Sequence, residues 1–221
     1  MHHSMIQEDH GMSSNPAMEK TYREYLEQIF AQDLKRASSI LGFDYRDEKI
    51  SVDFFSRNYL ISREGISGPD GDRPAHSIAV VLSKYIILCP GEMPGMSGWV
   101  TYREFKDAAP FAPSFRTNTE VAIAKYFSGR LNILEEACRK TGGLRPDMDL
   151  PYQLVMKFTP LKLIPVILLF NDADEEFPAQ SVILFEKRAE QFLDMECLAI
   201  TGWLLADYLY EAAGFTHKTI M

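Results

Sequence analysis

The chain has 221 residues, 46% of them hydrophobic, with 14 Phe, 10 Tyr, 2 Trp and a formal charge of −8. That length favours one domain, and so much apolar and aromatic material can bury a core and excludes extensive disorder. Lys and Arg total 23 against 31 Asp and Glu, and no basic stripe of the kind that neutralises phosphates is present, which argues against a nucleic-acid partner.

Residues 1–17 lack the apolar stretch of a signal peptide and are expected to form a flexible tail. A single domain is expected over 18–214, with a short tail over 215–221. Asn15-Pro16 offers a helix N-cap followed by proline at the first helical position. Tyr22, Leu26, Ile29, Phe30, Leu34, Ala37 and Leu41 then recur at helical spacing, predicting one long amphipathic helix that Gly42 stops. A strand is expected over 49–55, a turn at Ser56-Arg57-Asn58 and a partner strand over 59–62. The turn-rich stretch 65–74 reads as a loop.

From Ser77, the residues Ile78, Val81, Leu82, Tyr85, Ile86 and Cys89 follow helical spacing. Further apolar groups on the opposite side predict a helix buried nearly all round. Pro90-Gly91 ends it, and the glycine-containing loop 91–98 leads into a short strand at Trp99. Thr117-Asn-Thr-Glu120 has the pattern of a capping box, predicting a helix that opens there and runs through Phe127. A further helix is expected over 130–140, then strands over 152–158, 161–170 and 182–185. Pro165 inside the second of these predicts an edge position or a bulge. Helical patterns over 187–193 and 196–213 close the chain. This order lacks the regular alternation of a parallel doubly wound sheet, so the expected class is α+β, an antiparallel sheet with helices packed on it. The longest apolar run, 163–170, is too short to span a bilayer, and no membrane insertion is expected.

Chemistry-bearing motifs are few. Cys89, Cys138 and Cys197 stand far apart, which suits reduced thiols buried as small hydrophobes in a cytoplasm. The loop 91–98 lacks the lysine and Ser/Thr of a P-loop and the spacing of a dinucleotide fingerprint, and Ser97 misses the nucleophile-elbow pattern by one residue. His76 and His217 have no evident nucleophile or orienting acid. Between Asn171 and Glu211, ten acids stand against only Lys187 and Arg188, so this stretch carries the whole net charge. Its densest part is the turn with Asp172, Asp174, Glu175 and Glu176. Two readings of that turn stand: oxygen ligands for a hard cation, although glycine and glutamate are missing from the EF-hand positions, or a solvated connection between hydrophobic strands. Trp99 and Arg103 are candidates for holding an aromatic or anionic ligand.

Asn58-Tyr59, the buried helix with Tyr85, Gly98-Trp99-Val100-Thr101-Tyr102-Arg103-Glu104, and Asp174-Glu175-Glu176-Phe177-Pro178-Ala179 followed by Ile183-Leu184-Phe185 resemble the domain of unknown function 3786 family over roughly 22–210. The resemblance implies a cytoplasmic protein of prokaryotes, largely anaerobes, and assigns no reaction, cofactor or catalytic residue. Relatives joined to a cysteine-rich iron–sulfur domain are implied as well, and this chain lacks those cysteines. Two functions follow as expectations. The first is a non-catalytic accessory or binding module whose acidic C-terminal half docks a basic protein partner. The second is a metal-dependent enzyme or small-ligand binder joining Asp174, Glu175 and Glu176 to Trp99 and Arg103.

Overall fold

The computed structural model describes residues 16–215, and in it the first apolar run folds as two helices, α1 (Pro16–Phe30) and α2 (Leu34–Leu41), not one. The break falls before Asp33, whose carboxylate accepts the Arg36 N–H at 3.0 Å. Aspartate competes for first-turn amides and so starts a helix better than it continues one. Asn15, expected as the first cap, lies outside the described residues, as do most of the two expected tails. Gly42 stops α2 in the left-handed conformation, φ 75°, and its N–H reaches the Ser38 carbonyl.

Four strands follow, β1 (Asp44–Arg46), β2 (Lys49–Phe54), β3 (Arg57–Ile61) and β4 (Ile66–Ser67), forming an antiparallel sheet in that order. The turn from β2 to β3 is only Phe55-Ser56, with φ of 49° and 60°, the positive pair of a tight hairpin. Arg57 and Asn58, expected in the turn, therefore belong to β3. The brief pairing of Ile66 with Ile61 places β4 inside a stretch that reads as loop. Helix α3 (His76–Ile87) is buried along most of its length, as its apolar surround requires.

A second antiparallel sheet has the order β5-β8-β7-β6, from β5 (Trp99–Thr101), β6 (Leu154–Leu161), β7 (Ile164–Asn171) and β8 (Gln180–Glu186). Pro165 lies in β7, which is interior, so the edge alternative is overturned, and a register break of the kind a bulge makes stands opposite it. Pairing with β8 begins only at Val166, and β6 shifts register between Phe158 and Leu161, opposite the proline. Between the sheets, the Phe55 N–H donates to the Pro160 carbonyl at 2.9 Å.

The expected capping box at Thr117 is also overturned. The helix has already begun as α4 (Ala112–Phe115), with Pro113 in its first turn, and passes through a π-helical turn (Arg116–Val121) into α5 (Ala122–Phe127). A true reciprocal cap occurs sixteen residues earlier, where the Glu104 carboxylate accepts the Thr101 N–H at 2.7 Å and its hydroxyl at 2.6 Å. It opens a 3₁₀ turn (Tyr102–Glu104) and ends β5 after three residues. Helix α6 (Leu131–Lys140) follows the expected bounds. Residues 187–191 form a 3₁₀ turn, and α7 (Met195–Ala212) is capped by Asp194. Phe115 crosses α7 at Gly202, where a Cβ would stand 2.4 Å from its Cε2.

One apolar core runs through both sheets and the helices from Tyr22 to Tyr210. A second, smaller cluster of Val155, Ile167 and Leu169 lies on the outer face of the second sheet, with Trp99, Met148, Leu150 and Tyr152 packed against it. The class is α+β, with the antiparallel strands divided between two sheets. Among the described residues no helix is long and apolar enough to cross a membrane.

Candidate functional site

The connection from β7 to β8 carries the acidic turn, and its own carboxylates organise it. Asp174 Oδ1 accepts the N–H groups of Glu176 at 2.8 Å and Phe177 at 2.7 Å, while the Asp174 N–H donates to the Phe177 carbonyl at 3.0 Å. Such side-chain-to-backbone closure is the reason aspartate favours turns. The Phe177 and Glu176 amides hold the Asp174 carboxyl below its ordinary range. Asp172 Oδ1 accepts the Ala173 N–H at 2.8 Å and the Gly129 N–H at 2.6 Å, which docks the turn on the residues following α5. At the base, the Asn171 side-chain oxygen accepts the Gln153 N–H and the Gln153 side-chain oxygen accepts the Asp172 N–H, each at 2.9 Å.

Two of the four carboxylates are thus committed to the backbone. Glu175 and Glu176 remain at the surface, and between them and Pro178 stands Phe177, 61% exposed. The turn is therefore an ordered acidic prominence with an aromatic tip. Part of the rest of the acidic surplus is paired with bases. Glu186 pairs with Arg188 at 3.1 Å, Asp194 with Lys84 at 3.4 Å and Glu211 with Arg57 at 3.2 Å.

Trp99 and Arg103 lie elsewhere. Trp99 is opposite Glu186, at the end of β8 farthest from the turn. Six residue steps separate Gln180 from Glu186, or about 20 Å of extended strand. Trp99 packs on the outer apolar cluster. Arg103 follows Thr101, which pairs with Leu184, and its charge acts on Glu120. The Glu120 carboxylate accepts the Ile183 N–H at 3.1 Å, and its backbone carbonyl accepts the Ser181 hydroxyl at 2.7 Å. Because β5 ends early, the π-helical turn closes this part of the β8 edge with a side chain in place of a strand. Burial raises the Glu120 carboxyl, opposed by the Ile183 N–H and by Arg116 and Arg103. The register of β5 on β8 does not bring Trp99 together with Asp174, Glu175 and Glu176 in one site.

The loop 91–98 is held at both ends. Arg36 donates to the Pro90 and Gly91 carbonyls, and the Ser97 N–H reaches Glu186 at 3.0 Å. Ser97 Oγ accepts the Arg188 N–H at 2.7 Å, a turn role. Cys138 and Cys197 are buried and Cys89 is half-buried, and burial pushes all three thiols up. His76 begins α3, and His217 lies outside the described residues. Among the described residues no three His, Cys, Asp or Glu side chains converge into a group that could hold a metal ion.

Sequence reasoning missed Phe177 as a surface group and Glu120 as a strand-edge partner. A signal for the first was present: an aromatic wedged between acids and a proline in a turn has no core to enter. For Glu120 the local pattern pointed to a different role.

The family model described as Domain of unknown function (DUF3786) matches residues 33–208. The match begins at the Asp33 cap, so α1 falls outside it, and it covers both sheets, the acidic turn and most of α7. Comparison with curated proteins and with solved structures gave no match. With about four-fifths of its length inside that family model, the chain belongs to the DUF3786 family.

Proposed function

We propose that this chain is a non-catalytic binding module of a prokaryotic cytoplasm, which docks a basic protein partner through the acidic turn between β7 and β8. The observation that carries the reading is Phe177. A phenyl ring left largely in water forgoes about 25 cal/mol for each Å² of apolar surface it could bury. Here the backbone around it is fixed by Asp174, so little ordering cost remains to be met on association. Aromatic anchors of this kind typically fill a partner's pocket, and charged groups around them raise the association rate and select the partner's sign. Glu175 and Glu176 supply negative charge beside the ring. The wide spacing of Cys89, Cys138 and Cys197 supports a reducing compartment, and the family resemblance supports a prokaryotic source.

The test is affinity capture from native-host extract by the immobilised full-length chain at increasing salt. The expected result is a retained protein that elutes as salt rises. It is lost with Phe177→Ala and with the double variant Glu175→Lys/Glu176→Lys, while both variants melt within a degree or so of the parent. Retention of the same proteins by the variants, or elution indifferent to salt, would contradict the proposal.

A further inference from the structure

We propose that the crevice between the two sheets binds a small zwitterion, a molecule bearing both an ammonium and a carboxylate, the class of free amino acids and short peptides. The crevice has a volume of about 470 Å³ and forms where the end of α2, the outward face of β1–β3 and the β6–β7 hairpin meet. That volume is ordinary for a small-molecule site, and junctions between structural units are where such sites tend to lie.

One wall is acidic and fixed. The register Asp44↔Ser51 puts Asp44 on the face that also carries Ser51 and, two residues on, Asp53. Asn58, paired with Asp53, donates its side-chain amide to Ser51 Oγ at 2.8 Å and to Asp53 Oδ1 at 2.9 Å. The facing wall carries Lys162 from the β6–β7 hairpin. Its side chain lies directly on Gly42, where a Cβ would stand 2.4 Å from both Cδ and Nζ. The C-terminal end of α2 favours a cation in that place. Tyr85, 1% exposed, is also part of the lining, and its hydroxyl already donates to the Leu41 carbonyl at 3.2 Å.

Lys162, Asp44 and Asp53 share this cavity, yet among the described residues none of them forms an ion pair. Charges of opposite sign thus line one cavity of ligand size. A simple anion at Lys162 would face the two aspartates, and a simple cation at the aspartates would face Lys162. A zwitterion matches both walls, its ammonium toward Asp44 and Asp53 and its carboxylate toward Lys162. The crevice lies at the opposite end of β7 from the acidic turn, so it stands or falls independently of partner docking.

The experiment is a ¹H–¹⁵N NMR titration of the full chain with the twenty free L-amino acids and the dipeptide Gly-Gly. The expected result is saturable shifts at the amides of Gly42, Ser51, Asn58 and Lys162 with at least one of them. The carboxamide and the N-acetyl derivative of that probe should each bind at least about tenfold more weakly. Lys162→Met, an exposed position, should remove the shifts while leaving the remaining spectrum in place, and Asp53→Asn should weaken them. No probe shifting these amides, equal binding by either charge-deleted derivative, or binding indifferent to Lys162→Met would overturn the proposal.

Discussion

The two sheets match in strand number and antiparallel pairing, yet they are buried differently. In β2, Ile50, Val52 and Phe54 are buried while Lys49 and Asp53 are exposed and Ser51 is half-buried, so one face meets the core and the other meets solvent. In β7 every residue from Ile164 to Phe170 is buried. The helical layer around α7 covers the inner face of the second sheet, and residues 148–152 close over part of its outer face. A sheet covered twice presents chiefly its ends, whereas a sheet covered once also presents a face. The crevice uses the open face of the first sheet, and the acidic turn is an end of the second.

The comparison breaks most readily on matched leucines. Leu168→Ala in β7, where the residue is 0% exposed, is expected to cost about 2–5 kcal/mol in urea unfolding. Leu60→Ala on the outward face of β3, 37% exposed, should change stability by no more than about 0.5 kcal/mol. Similar losses at the two positions would mean that the sheets are covered alike. Next in size, Gly202→Ala drives a methyl into Phe115 and should cost about 1–3 kcal/mol, part of it recovered by Phe115→Leu in the same chain. No recovery would place the strain somewhere other than that crossing.

The smallest effects concern pH, and two carboxylates bordering the second sheet should differ in sign. Burial raises the Glu120 carboxyl, so the folded state favours its proton. Its stability contribution is present below the ordinary carboxylate pKa and is lost as pH rises through the raised value. Glu120→Gln keeps an oxygen for the Ile183 N–H and does not titrate. Its melting temperature should therefore gain on the parent's steadily as pH rises from acid toward neutral. Asp174 is lowered, so its contribution is present at neutral pH and lost as pH falls through the lowered value. Asp174→Asn should fall below the parent at neutral pH and converge with it in acid. Melting curves from pH 3 to 7 that move both variants in the same direction would break this contrast.

Much of the fold is legible in the chain because apolar runs declare buried elements: α3 and the strands β6 to β8 lie close to where their periodicity puts them. What stayed hidden depends on tertiary context. Thr101-Tyr-Arg-Glu104 and Thr117-Asn-Thr-Glu120 carry the same local pattern, yet only the first is a reciprocal cap. The second sits in a helix that Pro113 had already helped to start and that Phe115 anchors on Gly202, so its glutamate was free to serve β8. Likewise Asp33 breaks an apolar stripe that continues unbroken through Leu34 and Leu41. At the candidate site the charges of the turn were visible from composition. The outward placement of Phe177 carried a local signal too, a ring set between acids and a proline in a turn. The separation of Trp99 from the turn follows from the register of β5 on β8, which no local pattern encodes.

Docking through the aromatic tip is tested most directly by replacing Phe177 with a photocrosslinking phenylalanine analogue in native-host cells, with the same replacement at exposed Leu144 as control. The expected result is one dominant protein adduct at position 177. It is absent at 144 and is abolished when Glu175 and Glu176 are changed to lysine. Absence of an adduct at 177, or the same adducts at both positions, would contradict a binding role for this turn.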